Sequence, residues 1–260
     1  MIDFFYGLDP IIQAVIAGFF TCLMTILGAS FVFLFKKINK NIMDGLLGIS
    51  AGIMLAAAIF SLLLPSIEQA NALKMNTLVV VSIGILLGSL LLIAGDKISN
   101  KYVLKNDSKI KKSFLLISSI ILHNIPEGCA IGVAFGSLAL GLEGATLTAA
   151  ISLTIGIALQ NIPEGAAISI PLRRDGVSRF KSFSMGILSG IVEPIAALIG
   201  ALLVIKVKAI WPYFLAFAAG AMIFVIIVEL IPESQSNKNK NLIAILTLLG
   251  FIGMLILEIA

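Results

Sequence analysis

The stretch LVVVSIGILLGSLLLIAG (78–95) decides the class of the fold, because it is apolar almost throughout and carries no charge. About 18 such residues are enough to cross the roughly 30 Å hydrocarbon core of a bilayer as one helix. The rest of the chain has the same character: 59% of the 260 residues are apolar and 12% are charged, with a mean hydropathy of +1.11. A soluble domain is about half apolar and about a quarter charged. The sequence therefore predicts an all-α polytopic membrane protein, with one transmembrane domain over residues 1–260.

Apolar runs separated by polar turns predict eight transmembrane helices. The predicted spans are 10–35, 44–69, 77–98, 113–139, 145–171, 182–204, 210–231 and 241–258. Every second connection is basic: four loops hold 3, 6, 4 and 2 Lys or Arg, which is 15 of the 18 in the chain. These loops are 36–43, 97–112, 172–181 and 232–240. By the positive-inside rule they face the cytoplasm, which places both termini outside the cell membrane.

The net charge of +4 does not indicate a nucleic-acid partner, because the basic residues follow the membrane topology. Cys22 and Cys129 lie far apart in apolar stretches and form no CxxC motif. They predict neither a disulfide framework nor a thiolate zinc cluster. The expected surroundings of the protein are therefore the lipid bilayer, with no nucleic acid.

Two internal echoes predict an inverted repeat. SAGIMLAAAIFSLLLPSIEQ (50–69) in span 2 resembles AAGAMIFVIIVELIPESQ (218–235) in span 7, and HNIPEG (123–128) in span 4 recurs as QNIPEG (160–165) in span 5. Spans 4 and 5 are consecutive, so they run in opposite directions and their motifs can face each other. Transporters are often built from such repeats, with the substrate at the repeat interface. We expect spans 1–3 and 6–8 to form the repeat around a central pair of spans 4 and 5.

The two motifs place polar side chains inside otherwise apolar helices. His123 and Glu127 are four residues apart and share one helix face, and so do Gln160 and Glu164. Asn124 and Asn161 flank the two glutamates, and Glu193 in span 6 adds a third carboxylate. An ionised side chain at the bilayer centre costs at least about 2.5 to 3.5 kcal/mol on insertion scales. A bound dication would offset that cost, so the sequence predicts an ion site here.

Imidazole together with carboxylates and amide oxygens suits zinc or a neighbouring first-row metal, whereas magnesium and calcium sites are more often all oxygen. Met54 in span 2 could add a soft thioether ligand, although methionine is also ordinary core filler. Glu193 taken alone also fits simple pairing with a neighbouring helix. The GxxxG spacings, such as Gly84–Gly88 and Gly132–Gly136, predict close helix contacts within the bundle.

Two rival functions stay open at this point. An intramembrane metal-dependent hydrolase would also place histidine and carboxylates in the bilayer, but it usually has more than one histidine, as in HExxH. A proton-coupled transporter or channel for another solute would use the carboxylates as a relay. The chain has one histidine, no HExxH and no GxxxxGK[ST] nucleotide motif. We therefore expect a transporter with no catalytic residue, no cofactor and a driving force other than ATP.

HNIPEG in span 4, the second NIPEG in span 5, eight spans and outward termini resemble the ZIP (Zrt/Irt-like protein) metal transporters over essentially the whole chain. The resemblance implies alternating access by an elevator-like movement of spans 1, 4, 5 and 6 against 2, 3, 7 and 8. It also implies metal influx toward the cytoplasm and a homodimer. The transported ion would be zinc first, with cadmium, iron and manganese as further candidates.

The resemblance further implies a binuclear metal site. The primary transport site would consist of His123, Glu127, Gln160, Glu164 and Met54. The adjacent second site would consist of Asn124, Asn161 and Glu193, bridged by Glu127 and Glu164.

Two positions and one loop depart from the family pattern. Asn161 stands where some relatives have Asp, which leaves the second site one negative charge weaker. Gln160 stands where many have His, which makes the primary site harder and broadens it toward iron, manganese or cadmium. The basic loop 97–112 contains no histidine, so metal sensing through a His-rich loop is not expected.

Overall fold

The computed structural model describes the chain apart from residues 1–4, 6, 36–38, 104–107, 142–144, 175, 207 and 260. For 99–103, 108–120, 123 and 208 it describes the backbone but not the side chain. The described residues are all helix and connecting turns, with no strand. The all-α expectation is therefore confirmed.

Eight long helical segments follow one another in the described part of the chain. They are α1 (Pro10–Leu34), α2 (Lys40–Ala72), α3 (Thr77–Val103), α4 (Ser108–Leu138), α5 (Leu147–Arg174), α6 (Arg179–Lys206), α7 (Trp211–Ser234) and α8 (Lys240–Ile259). Within the described residues, six of them are long and apolar enough to cross a membrane: α1, α2, α3, α6, α7 and α8. The two others, α4 and α5, carry the NIPEG motifs, whose polar residues lower the hydropathy of the helices around them.

Local sequence explains where several helices begin and end. Asp9 caps α1 by accepting a hydrogen bond from the N–H of Ile11 at 2.8 Å, and Pro10 occupies the first turn, where its missing N–H is harmless. Ser178 caps α6 in the same way through the N–H of Lys181. Gly176, with φ of 97°, makes the turn between α5 and α6 that a residue with a side chain would adopt only under strain.

The helices pack as preferred pairs. One group is formed by α1, which packs along α5, and α4, which packs along α6, with α1 also in contact with α6. In a second group α2 packs along α8, and α3 packs along α7. The two groups meet where α2 packs against α5, at the turn that carries Gln160 of the second NIPEG motif.

Glycines allow the closest of these contacts. A Cβ on Gly132 would lie 2.1 Å from the carbonyl oxygen of Ala197, so α4 and α6 touch backbone to backbone. A Cβ on Gly88 would lie 2.1 Å from the carbonyl oxygen of Phe217, and α3 and α7 are equally close there. Small residues at helix interfaces have this effect in membranes because they let backbones approach. The close contacts predicted from the GxxxG spacings are confirmed at these two glycines.

Three helices change their winding near the motifs. In α2 the segment Ala57–Leu63 is π-helical, and in α7 the segment Ile226–Leu230 is π-helical. In each case a proline follows within two residues of the segment, Pro65 in α2 and Pro232 in α7. Proline removes an N–H from the helical ladder, and π segments are frequent at functional sites. The third helix, α6, is interrupted between Gly190 and Val192, directly before Glu193.

Candidate metal site

The two NIPEG motifs face each other, as the sequence predicted. The side-chain amide nitrogen of Gln160 in α5 donates a hydrogen bond to the carboxylate of Glu127 in α4 at 2.5 Å. Both side chains are completely buried. Because helical residues four apart share a face, Glu164 lies one turn beyond Gln160 on the same side of α5, and it is 6% exposed. The polar faces of α4 and α5 therefore meet inside the protein.

The third carboxylate, Glu193 in α6, joins the same polar cluster. It accepts hydrogen bonds from the amide nitrogen of Asn161 at 2.8 Å and from that of Asn124 at 3.4 Å. The nitrogen of Asn124 also donates to the carbonyl oxygen of Ser189 at 2.9 Å. Asn124, Asn161 and Glu193 are all at most 1% exposed. The structure thus brings α4, α5 and α6 together at residues singled out from the sequence.

Helix α1 contributes two threonines that sequence reasoning missed. The hydroxyl of Thr25 donates to Glu193 at 3.0 Å, and the carbonyl oxygen of Thr21 accepts a hydrogen bond from the nitrogen of Asn161 at 3.3 Å. Both threonines are buried. Their spacing of four residues in a strongly apolar helix is a signal that could have identified them, because it places two hydroxyls on one face.

Four oxygens of this cluster are buried without a hydrogen-bond partner in the part of the chain that the structure describes. They are Asn124 Oδ1, Glu127 Oε2, Gln160 Oε1 and Asn161 Oδ1. A buried acceptor left unsatisfied costs about 1 to 3 kcal/mol, so such groups are rare in stable structures. The cluster that carries the motifs therefore has capacity to bind a group that attracts oxygens.

The three carboxylates are close enough to interact electrostatically. Glu127 interacts with Glu164 and Glu193, and Glu164 interacts with Glu193 and with Glu229 in α7. The hydrogen-bond partners described for Glu127 and Glu193 are amides and a hydroxyl, which carry no positive charge. Buried charges are normally paired or bind a metal ion. The electrostatics therefore favour a cation in this cluster.

Met54 of α2 lies at the edge of the same region. It is 1% exposed. Ser50, one helical turn before it, donates its hydroxyl to the carbonyl oxygen of Gln160 at 3.3 Å. Residues four apart lie on the same helix face, so Met54 lies on the side of α2 that contacts the Gln160 turn of α5. Ser50 is a second contact that the sequence did not single out.

The side chain of His123 lies outside the described residues, and its predicted role as a ligand stays a prediction. Among the side chains that are described, no three His, Cys, Asp or Glu residues are gathered into a metal-binding group. The unpaired buried oxygens of the cluster are mixed: two amide oxygens from asparagine, one from glutamine and one carboxylate oxygen. The acceptors available there are therefore amides as well as a carboxylate.

A cavity of about 40 Å³ lies between α2, α4, α5 and α7. Each of these helices adjoins a basic loop at one end, and the cavity is lined by residues toward the opposite end. Ser61, Ser137, Thr146 and Trp211 give it a partly polar lining. Along α4 and α5, Ile131 and Ile157 lie in sequence between the residues that line this cavity and the motifs, and both are fully buried. Among the described residues, none of the polar residues of the cluster lines the cavity. The cavity lining was not predicted from the sequence, because its residues come from four separate helices.

The fold and the cluster define a class of protein: a multi-pass membrane protein with polar, ion-attracting groups buried between its helices. Comparison with known families and proteins identifies which one. Residues 108–258 match the family model described as ZIP Zinc transporter. The chain belongs to the ZIP family.

Relatives extend the likeness over the whole chain. Zinc transporter ZIP11 of Xenopus tropicalis is 34% identical over an alignment that covers 100% of this chain and 99% of the relative. Zinc transporter ZIPB of Bordetella bronchiseptica is 34% identical, with 95% and 81% covered. Zinc transporter GufA of Myxococcus xanthus is 32% identical, with 90% and 93% covered. The resemblance noted from the NIPEG motifs is confirmed by these comparisons.

Proposed function

We propose that this protein carries divalent transition-metal ions, zinc first among them, across the cell membrane. The ion-binding site is the buried cluster between α4 and α5. Glu127, Gln160 and Glu164 bind the ion, together with His123 and Met54. Each of the relatives described above is named a zinc transporter, which supports a transporter rather than an enzyme.

The four unsatisfied oxygens carry this proposal. A single water molecule can donate only two hydrogen bonds, whereas one cation can bind four or more oxygens at once. Three carboxylates with mutual repulsion also gain from a positive charge among them. A dication therefore satisfies both the unpaired acceptors and the buried negative charge.

The chemistry of the donors suggests the range of ions. An imidazole and a thioether favour zinc and cadmium over magnesium and calcium. Amide oxygen from Gln160 is a harder donor than imidazole, so iron and manganese are further substrates. The transported ion must leave the site again. A mixed donor set that binds the ion with moderate affinity therefore suits transport better than a closed thiolate site does.

The packing supports alternating access with all eight helices across the membrane. In the inverted repeat, spans 1, 2, 3 and 4 correspond to spans 6, 7, 8 and 5. The pair formed by α1 and α5 then corresponds to the pair formed by α6 and α4. In the same way, the pair formed by α2 and α8 corresponds to the pair formed by α7 and α3. These are the preferred pairs of the structure, which favours the inverted repeat. The basic loops follow α1, α3, α5 and α7, so the C-terminal ends of these four helices are placed on the cytoplasmic side and both termini of the chain outside.

In this orientation the cavity beside Thr146 lies on the outer side of the protein, and the buried Ile131 and Ile157 lie between its lining and the ion site along α4 and α5. Influx would require the group α1, α4, α5 and α6 to move against the other group, so that the ion site is reached first from outside and then from the cytoplasm. Homodimerisation is proposed on the family resemblance alone.

The proposal is tested by uptake into proteoliposomes that contain the purified protein, with zinc, cadmium, iron and manganese compared. Wild type should carry at least zinc, and Glu164→Ala and His123→Ala should lose that flux while still inserting into the liposomes. Full flux in Glu164→Ala would contradict the site. Absence of metal flux in wild type, together with flux of another solute, would contradict the substrate class.

The outer route has its own test. Thr146 lines the cavity and Thr148, two residues on in α5, does not. Metal uptake by Thr146→Cys should become slower after treatment with a membrane-impermeant thiol reagent. Uptake by Thr148→Cys should not change after the same treatment. The native Cys22 and Cys129 are buried and provide a low background. Equal inhibition at both positions would contradict access through this cavity.

A further inference from the structure

Glu193 differs from Glu127 because each of its two oxygens already accepts a hydrogen bond. One oxygen accepts from the Thr25 hydroxyl at 3.0 Å and from Asn124 at 3.4 Å, and the other accepts from Asn161 at 2.8 Å. Glu193 does not appear among the residues with an unpaired buried oxygen, whereas Glu127 does. Its charge is thus distributed over three donors from α1, α4 and α5.

The orientation of the two asparagine amides follows from their neighbours. The nitrogen of Asn161 faces Glu193 and the carbonyl oxygen of Thr21, and the nitrogen of Asn124 faces Glu193 and the carbonyl oxygen of Ser189. All these neighbours are acceptors, so only the N–H edge of each amide can face them. The oxygen of each amide must then point away from Glu193, and both oxygens are among the unpaired ones.

The winding of α6 stabilises the Glu193 carboxylate further. Val192 begins the second part of α6, after the interruption at Ile191, and Glu193 lies in its first turn. The N-terminus of a helix carries a partial positive charge, which favours a carboxylate there. Together with three hydrogen bonds, this offsets part of the cost of burying the Glu193 carboxylate.

We infer that Glu193 is a positioning residue rather than a metal ligand: it holds the amides of Asn124 and Asn161 with their oxygens turned toward the ion, and the cluster binds one ion instead of two. The second position implied by the family resemblance is replaced here by the hydrogen bonds around Glu193. The inference rests on the proposed function, since it concerns the same site.

The test counts the ions bound by each purified protomer, using equilibrium binding of cadmium and of zinc to the full chain in detergent. We expect one ion in wild type. Asn161→Asp replaces the N–H donor with a second carboxylate beside Glu193, and it should bind a second ion. Thr25→Val removes a donor without changing the charge, and it should still bind one ion.

Each outcome decides something different. Two ions in wild type would overturn the inference while leaving the proposed function intact. One ion in both wild type and Asn161→Asp would also overturn it, because the Asn161 amide would then not be what replaces the second ion; a purely structural Asn161 gives this result. If Asn161→Asp does not fold, Asn124→Asp places a carboxylate on the other side of Glu193 and should likewise bind a second ion. No ion in wild type would overturn the proposed function, and the inference with it.

Discussion

Among the amide–carboxylate pairs buried in the described part of the chain, the pair of Asn237 with Asp44 and the pair of Gln160 with Glu127 differ in how their remaining oxygens are used. Asn237, between α7 and α8, donates its side-chain nitrogen to Asp44 of α2 at 2.9 Å, and its oxygen accepts the N–H of Asn239 at 2.8 Å. Gln160 donates to Glu127 in the same way. There, however, the oxygen of Gln160 and the second oxygen of Glu127 have no partner among the described residues.

In the proposed function, this difference is that between a structural pair and a pair that takes part in the ion site. Asp44 is 1% exposed and Glu127 is 0% exposed, so burial alone does not distinguish them. What distinguishes them is the use of their acceptors, because folding leaves buried polar groups unpaired only rarely. The Asp44 pair joins α2 to the turn before α8, whereas two oxygens of the Glu127 pair have no hydrogen-bond partner among the described residues.

The largest effect should come from removing the carboxylate of the Glu127 pair. Glu127→Ala should reduce metal uptake to background, because it removes a ligand and a negative charge from the ion site. Asp44→Asn is the matched control, since it removes a buried charge but keeps an acceptor for Asn237, and it should retain uptake. Proteoliposome flux at equal protein content measures both; loss of uptake in both variants alike would erase the distinction between the pairs.

A smaller effect is expected from changing the donor chemistry at Gln160. Gln160→His replaces an amide oxygen with an imidazole nitrogen, which zinc prefers more strongly than manganese does. The ratio of zinc to manganese uptake should rise roughly tenfold, which corresponds to about 1.4 kcal/mol of relative affinity. Competition between the two metals in one assay measures this ratio directly. An unchanged ratio would show that Gln160 does not contact the ion.

The Asp44 pair should respond in stability and not in selectivity. Asn237→Ala leaves Asp44 without its amide donor, and an unsatisfied buried acceptor costs about 1 to 3 kcal/mol. We expect a lower melting temperature in detergent but the wild-type order of metals in uptake. A changed metal order with unchanged stability would place Asp44 on the ion pathway instead.

The smallest effect is expected at Met54. Met54→Leu keeps the volume of the side chain and removes the sulfur, so packing should change little. Cadmium, the softer ion, should lose a few-fold more uptake than manganese does. Measuring the two ions side by side removes differences in protein content. Equal losses for both ions would indicate that Met54 packs against the site without contacting the ion.

Much of this arrangement was predictable from the sequence because it follows from local patterns. The 18-residue apolar stretch 78–95 requires a bilayer, and α3 forms over it. The repeated NIPEG predicted that α4 and α5 would meet, and Gln160 and Glu127 are in contact. These conclusions depend on helix periodicity and hydrophobicity, which each segment carries by itself.

The tertiary structure decided what each polar residue binds. Glu193 and Glu127 are both buried glutamates next to a proline, and nothing in their own segments tells them apart. The packing of α1, α4 and α5 around α6 gives Glu193 its three donors, while one oxygen of Glu127 has no partner among the described residues. Hydrogen-bond satisfaction depends on side chains distant in sequence. The sequence by itself therefore determined the membrane fold, the family and the motif residues, and the tertiary structure determined which of their oxygens accept hydrogen bonds within the described part of the chain.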